Sequence, residues 1–352
     1  MKIQEILQQA YEMKASDIHM LPERPLMFRV NGKMTAIESE NIQAADMKKI
    51  IKELLAAGQM EELEQEGEVD TAVSIAGFSR IRVNVYKQQG TYGVALRILS
   101  STIPQPEELN LSQSILELTK ENKGLVLITG EAGNGKTTTM ASLLNFIAQR
   151  DTKHIITIEN PIEYLIPSGS SLVSQREIGS DTKSYAKAVK AALRQDPDVI
   201  FIGELSDVDT ITEAIAAAES GHLVFSSLYT NRTEDTLHRL IDIFPTHRRQ
   251  QIRVQLADVL KGVVAQQLLP RSDKDGRSAV FEIMLADKEI QTLLREDRIE
   301  QITSVMEKKG NAGMQTMDDA ILSAYMKSRI SGDTAVAYAG NTEQMKQRIT
   351  IY

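Results

Sequence analysis

A short glycine-rich segment limits the folds open to this chain more than any other part of its sequence. Residues 130–137 read GEAGNGKT, which matches the pattern GxxxxGK(S/T). In such a loop, backbone N–H groups surround a phosphate, and glycine is needed where a side chain would block its approach. An apolar run of strand length, Leu125–Ile128, precedes the loop, and a helical pattern, Thr138–Gln149, follows it. The sequence therefore predicts the strand, phosphate loop and helix of a nucleotide-binding α/β sheet.

The chemistry of this loop assigns roles to its polar residues. We expect Lys136 to bind the β- and γ-phosphates of the nucleotide and the Thr137 hydroxyl to ligate Mg²⁺. The alternative, a glycine-rich turn that binds no nucleotide, is disfavoured by the strand and helix on either side. The residues predicted to bind the nucleotide are Gly130, Gly133, Asn134, Gly135, Lys136, Thr137 and Thr138.

Residues 111–283 alternate short apolar runs with helical segments. Continuous, β-branched apolar runs are typical of parallel strands that are buried on both faces, and the helical segments supply the crossovers. The predicted strands are Leu125–Ile128, Ile155–Ile158, Val199–Ile202 and Leu223–Phe225. We therefore predict an open α/β sheet with helices on both sides, followed by a helical region at residues 284–352.

Residues 1–99 mix helical and strand patterns. A helix is predicted at Ile3–Met13, and alternating stretches predict a small antiparallel sheet. The three alternating stretches are Thr71–Ile75, Ile81–Tyr86 and Gly93–Ile98. Pro104 and Pro106 resist both helix and sheet pairing, so we expect residues 100–110 to be a linker between the N-terminal domain and the α/β domain.

Composition excludes several classes of protein. The 352 residues include no cysteine, which excludes a disulfide scaffold, a cysteine nucleophile and cysteine-ligated metal centres. The net charge of −8 disfavours a general nucleic-acid binder. No run approaches the roughly 20 apolar residues that cross a bilayer, and the N-terminus lacks the apolar core of a secretory signal. We expect no membrane insertion, so that any membrane connection would run through a partner protein.

Acidic residues follow two of the predicted strands. Glu204 follows the strand Val199–Ile202 after Gly203, and ligands collect at the carboxyl ends of strands in open α/β sheets. We expect Glu204 to orient a water molecule toward the γ-phosphate, although it could instead cap the next helix. Glu159 and Glu163 follow another strand. They are candidates for binding Mg²⁺ through water or orienting the attacking water, with ordinary loop acids as the alternative.

Three basic or titratable residues complete the set of candidate catalytic residues. His222 precedes a candidate central strand and could sense the γ-phosphate, or it could be a structural histidine. Arg82 and Arg97 lie in the N-terminal domain. The alternative interpretation is that both arginines are ordinary charged residues on the surface. A role at the nucleotide would require a neighbouring subunit to supply them as arginine fingers.

From about Lys14 to Gly332, the chain resembles the retraction ATPases of type IV pili, within the secretion-type hexameric ATPases. The matching stretches are ASDIH (15–19), SRIRVN (79–84), the phosphate loop, TIENPIE (157–163), QREIG (175–179), ALRQDPDVI (192–200), GHLVF (221–225), DIFP (242–245), QQLLPR (266–271) and GMQTM (313–317). Their order and spacing fit this family over nearly the whole chain.

The resemblance implies a fold, an assembly and a function. It implies a PAS-like α+β domain at residues 1–99 and a RecA-like ATPase core at residues 111–283. It also implies a homohexamer with ATP and Mg²⁺ between subunits. Glu204 would be the catalytic glutamate, Glu159 and Glu163 the Asp-box acids, His222 the His-box histidine, and Arg82 and Arg97 the residues acting in trans. The cytoplasmic ring would dock on the inner-membrane platform protein of the pilus and drive pilus retraction and twitching motility.

The sequence departs from the family pattern at four places. Asn160 replaces the aspartate of the Asp box, Ser206 stands where an arginine usually follows the catalytic glutamate, and Tyr229 replaces the second His-box histidine. The motif AIRNLIR reads EIQTLLR at residues 289–295. These departures motivate a second reading, an accessory ATP-binding ring subunit that assists a second pilus ATPase. A third reading, a pilus assembly or export motor, is disfavoured because the chain lacks the cysteine tetrad of many such relatives.

Overall fold

The protein divides into two compact units. The computed structural model describes residues 2–38, 41–75, 78–100 and 102–351. One unit comprises Met1–Thr102 and Asn160–Leu165, and the other comprises Ile103–Glu159 and Ile166–Tyr352. This division by packing places most of the expected linker in the second unit and adds Asn160–Leu165 to the first. Ser101 of the expected linker lies outside the described residues, and the domain boundaries drawn from the sequence stay a prediction.

In the part of the first unit that the structure describes, there are one six-stranded sheet and three helices. The strand order is β3-β2-β1-β6-β5-β4, and every neighbouring pair is antiparallel. The elements are α1 (Ile3–Glu12), β1 (Ala15–Met20), β2 (Met27–Val30), β3 (Lys33–Ala36), α2 (Ala44–Leu54), α3 (Ala57–Glu66), β4 (Glu68–Ser74), β5 (Arg80–Gln88) and β6 (Thr91–Ile98).

One face of this sheet is apolar, because side chains alternate along a strand. Ile81, Val83 and Val85 of β5 are fully buried, with polar residues between them. They share a core with Ile6 of α1 and Ile50 of α2. The predicted antiparallel sheet is present, and it also holds a central strand, β1, that the sequence analysis did not identify.

The second unit is built on a seven-stranded sheet of order β13-β12-β7-β11-β10-β8-β9. Its elements as far as the sheet extends are α4 (Gln113–Leu118), β7 (Gly124–Thr129), α5 (Lys136–Arg150), β8 (His154–Glu159), β9 (Leu172–Glu177), α6 (Tyr185–Ala192), β10 (Val199–Ile202), α7 (Val208–Glu219), β11 (Leu223–Leu228), α8 (Thr233–Asp242), α9 (Thr246–Val259), β12 (Leu260–Pro270) and β13 (Arg277–Leu285). All neighbours are parallel except the β12–β13 hairpin at one edge.

Apolar helices cover both faces of this sheet. All six residues of β7 are buried, and residues of β7, β8 and β10 contribute to a core on each face. Helices α6 to α10 supply buried residues to one core, whereas α4 and α5 supply them to the other. The predicted α/β class, with a mostly parallel sheet, is confirmed.

The chain continues as helices after β13, as predicted. They are α10 (Lys288–Arg295), α11 (Ile302–Lys308), α12 (Met317–Met326), α13 (Gly332–Tyr338) and α14 (Thr342–Ile351), with short 3₁₀ turns at Ile299–Gln301 and Gly310–Ala312. Within the described residues, no helix combines the length and apolarity needed to span a membrane.

A buried carboxylate of β13 ties two of these helices to the sheet. Glu282 accepts hydrogen bonds from the backbone N–H of Thr233 at 2.7 Å and of Met317 at 3.2 Å. These residues begin α8 and α12, whose first N–H groups have no partner within their own helix. Burial raises the pKa of Glu282, and the N–H donors oppose that shift. Glu282 thus fixes the start of both helices against β13.

Candidate nucleotide site

The phosphate loop connects the carboxyl end of β7 to the start of α5. Gly130, Gly133 and Gly135 have φ angles of +150°, +80° and +82°. L-residues with side chains rarely adopt these values, which explains why glycine occupies all three positions. Gly135 directly precedes Lys136, the first residue of α5. The free N–H groups at the start of this helix can bind an anion, which its dipole also favours.

The ammonium group of Lys136 lies inside the loop. Its Nζ donates hydrogen bonds to the carbonyl oxygens of Gly130 at 2.7 Å and Glu131 at 3.0 Å. The same atom lies 4.1 Å from the centre of the Tyr229 ring, a cation–π geometry. Burial lowers the pKa of Lys136 to about 8, and the negative charge of Glu204 opposes this shift.

Two of the predicted acids lie at the same edge of the sheet as the loop. Glu159 is the last residue of β8, and Glu204 follows β10. Because β7, β8 and β10 belong to one parallel set, their carboxyl ends lie at one edge. The buried Glu159 carboxylate accepts hydrogen bonds from the Thr157 hydroxyl at 2.6 Å and the Gln175 amide at 3.1 Å. Carboxylates at this edge are placed to act on water or on a metal beside the phosphates.

Tyr185 contributes a phenol at this edge, although sequence reasoning did not identify it. A Cβ atom added at Gly203 would lie 2.9 Å from the Tyr185 hydroxyl oxygen, so the hydroxyl lies against the residue that precedes Glu204. Burial and the charges of Glu204 and Glu159 raise the pKa of Tyr185. The phenol therefore stays protonated at physiological pH. A tyrosine at the start of an amphipathic helix carries no signal in the sequence for such a position.

His222 lies at the opposite edge of the sheet. It precedes Leu223, the first residue of β11, and its carbonyl oxygen accepts a hydrogen bond from the N–H of Gly124 at the start of β7. The six residues of β11 separate it from the loop by about 20 Å. Its Nδ1 is 3.0 Å from the Ala217 carbonyl oxygen. Within one subunit, His222 therefore lies away from the loop, and its role as a sensor of the γ-phosphate stays a prediction. Tyr229, just beyond the end of β11, lies beside the loop instead.

Glu163 and Arg82 are partners within the first unit. The Arg82 guanidinium lies 3.4 Å from Glu163 Oε1 and 2.5 Å from Asp70 Oδ2. The structure thus pairs one Asp-box acid with a predicted trans arginine.

Arg97 is also held by a carboxylate. Its Nε lies 2.8 Å from Oδ1 of the buried Asp17. Burial alone would raise the pKa of Asp17. A hydrogen bond from Arg97, another from Ser16 and the charge of Arg97 together outweigh burial and lower the pKa. Asp17 therefore remains an anion that orients Arg97.

The donors near the loop suit a metal bound chiefly through phosphate. Among the described residues, no three or more His, Asp or Glu side chains form a group able to hold a metal ion. Mg²⁺ in nucleotide sites commonly takes one hydroxyl ligand, phosphate oxygens and waters. The Thr137 hydroxyl, in the first turn of α5, fits that requirement.

Comparisons with known proteins identify the family. The family model described as "Type II/IV secretion system protein" matches residues 1–331. The chain belongs to this family. It is 35% identical over 335 residues to the "Type IV pilus retractation ATPase PilT" of Pseudomonas aeruginosa, covering 95% of this chain and 97% of that protein. It is 33% identical to the "Type IV pilus ATPase PilU" of the same species, covering 100% of this chain and 92% of that protein.

A solved structure of the family has the same fold. The "Crystal Structure of the Pilus Retraction Motor PilT and Bound ADP" superposes with a TM-score of 0.91 and 38% sequence identity, covering 99% of each chain. The predicted membership among the secretion-type ATPases is confirmed, and with it the ATPase class.

The pKa of Lys136 predicts proton uptake when nucleotide binds. Above pH 8 the lysine of the free protein loses its proton, whereas phosphate charges favour the ammonium form. Binding of ADP should therefore take up about 0.7 proton at pH 8.5 and about 0.1 at pH 7, and affinity should fall as pH rises above 8. Calorimetric titrations in buffers of different ionisation enthalpy measure this uptake. Lys136→Arg, whose guanidinium stays charged, is the control; equal uptake in that variant would contradict the assignment to Lys136.

Proposed function

We propose that this chain is the ATP-hydrolysing motor that powers type IV pilus retraction. The observation that carries the proposal is the pairing of a complete phosphate loop around Lys136 with Glu204 at the same edge of the sheet. Similarity over 95% of the chain to a protein described as a pilus retraction ATPase supports the biological role. A matching structure described as a retraction motor with bound ADP supports it further.

In the proposed reaction, the side chains of this edge divide the work. Lys136 and the N–H groups at the start of α5 bind the β- and γ-phosphates, and the Thr137 hydroxyl holds Mg²⁺, which neutralises phosphate charge. Glu204 orients a water molecule and accepts its proton as the water oxygen bonds to the γ-phosphorus. The bond from that phosphorus to the bridging oxygen breaks, and ADP and phosphate leave. Glu159 helps to position the water.

The proposed assembly is a homohexameric ring in the cytoplasm, with ATP between subunits. Arg82 and Arg97 would act on the nucleotide of a neighbouring subunit, and their carboxylate partners would orient them. Charge-assisted pairs of this kind fix the direction of a guanidinium group. The ring would dock on the inner-membrane platform protein of the pilus, at the inner face of the membrane.

A second candidate function is an accessory ring subunit with weak turnover that assists another pilus ATPase. Two observations favour it. The chain is about as similar to PilU as to PilT, at 33% and 35% identity. Tyr229, which replaces a histidine of the family pattern, contacts Lys136 through its ring, and a tyrosine cannot carry the positive charge of a histidine.

Steady-state ATPase measurements on Glu204→Gln separate these two functions. The amide cannot accept the proton of water, so turnover should fall by about a hundredfold or more while nucleotide binding persists. Asp209→Asn, an exposed acid in the first turn of α7, is the matched control and should keep the parent rate. If the parent hydrolyses ATP no faster than Glu204→Gln, the proposal of a retraction motor is wrong and the accessory function is favoured.

Mixed rings test the arginine in trans. Lys136→Ala subunits lack a working loop, and Arg97→Ala subunits lack the arginine for a neighbour. In an equal mixture about a quarter of the interfaces would combine an intact loop with an intact Arg97, so activity should return. Mixing Lys136→Ala with the Lys136→Ala/Arg97→Ala double variant is the control without rescue. Absence of rescue at every ratio in the first mixture would count against the role of Arg97.

Loss of the protein from cells distinguishes retraction from assembly. Cells without a retraction motor should display pili that do not shorten, because assembly proceeds without its reverse. Fluorescent labelling of pili in live cells measures this directly. Cells without pili would overturn the retraction role, and pili that shorten normally would favour the accessory function.

A further inference from the structure

Gln266 of β12 joins the phosphate loop to the helix that follows it through the two ends of its amide. Its Oε1 accepts a hydrogen bond from the Thr139 hydroxyl at 2.7 Å. Its Nε2 donates a hydrogen bond to the carbonyl oxygen of Asn134, also at 2.7 Å. The residue is only 2% exposed. Buried polar groups need partners, and this amide has one on the loop and one on the helix that follows it.

The backbone of the loop also lies tightly against Gln266. A Cβ atom added at Gly130 would lie 2.5 Å from the Gln266 carbonyl oxygen, and one added at Gly135 would lie 3.1 Å from its Nε2. The first and last glycines of the loop therefore both contact this residue. Two residues further along β12, the N–H of Leu268 donates to the Asn134 side-chain oxygen at 3.2 Å. The carboxyl-terminal part of β12 thus packs along the loop.

The bond to Asn134 determines where a backbone donor points. In a planar trans peptide, the carbonyl and the N–H project to opposite sides. The Gln266 amide draws the Asn134 carbonyl toward β12, so the N–H of Gly135 projects away from β12. A phosphate loop binds its ligand with such N–H groups. The amide of Gln266 supplies both a donor for the Asn134 carbonyl and an acceptor for the Thr139 hydroxyl on one side chain.

We propose that Gln266 is a positioning residue that holds the phosphate loop in its binding conformation and thereby sets the affinity for nucleotide. This inference rests on the proposed function of the loop as the ATP site. β12 carries no residue of the phosphate-loop motif. The inference nevertheless gives this strand a role in the affinity for nucleotide.

Gln266→Met tests the inference, because methionine has a similar length but neither donor nor acceptor. The variant should raise the KM for ATP and the dissociation constant of a fluorescent ADP analogue by about tenfold, and should leave kcat within about threefold. Gln267→Met is the matched control, since its side chain projects to the opposite face of the same strand. It should change neither quantity. Thermal melting of each variant reports whether it folds.

Thr139→Val removes one of the two hydrogen bonds and keeps the proposal testable if Gln266→Met does not fold. It should raise KM by about threefold on its own. Combined with Gln266→Met it should raise KM little further, because the Gln266 amide that accepts the Thr139 hydrogen bond is already absent. An unchanged KM in Gln266→Met would overturn the inference, and so would an equal effect in Gln267→Met. If Gln266→Met does not fold, an unchanged KM in Thr139→Val would overturn it as well.

Lys136→Ala distinguishes failure of this inference from failure of the proposed function. If Lys136→Ala loses the ADP analogue while Gln266→Met binds it as the parent does, the loop is the nucleotide site and only the role of Gln266 is wrong. If Lys136→Ala binds the analogue as the parent does, the nucleotide site itself lies elsewhere, and the inference fails with it.

Discussion

A buried ammonium group is the constraint around which the nucleotide site is built. An amine taken out of water favours its neutral form, and the lowered pKa of Lys136 reflects this cost. Two loop carbonyls, the ring of Tyr229 and the charge of Glu204 offset part of it. Phosphate oxygens are better partners than the carbonyls or the ring, because they carry negative charge. An anionic ligand at this site would therefore stabilise the charged form of Lys136.

The parallel sheet brings the other groups to this lysine. The loop, Glu159, Glu204 and Tyr229 follow four different strands, yet those strands end at one edge. Helices on both faces bury the strands, so their ends cannot shift independently. The apolar core that stabilises this unit thus also fixes the distances between the candidate catalytic groups.

The sequence predicted those parts of the site that depend on consecutive residues. The phosphate loop and Glu204 are recognisable because each lies within two residues of the end of an apolar strand. Tyr185 and Gln266 escaped prediction, because their positions depend on which strands are neighbours rather than on local pattern. The role of His222 stays a prediction, because a residue before a parallel strand lies at the edge opposite to the loop of its own subunit. In the first unit, β1 went unrecognised because its apolar alternation is short, with only Ile18 and Met20 as large apolar side chains.

The Asp-box segment connects two carboxylates, Glu159 and Glu163, that belong to different units. Glu159 ends β8 in the unit that carries the phosphate loop, and the segment Asn160–Leu165 belongs to the other unit, where Glu163 binds Arg82. A carboxylate of the nucleotide-binding unit and a partner of a candidate trans arginine are thus covalently linked by a few residues. Because Asp70 also binds Arg82, that arginine would, in its proposed trans role, exchange Glu163 for a phosphate and keep Asp70. Its guanidinium would stay oriented while its charge becomes available to a neighbour's nucleotide.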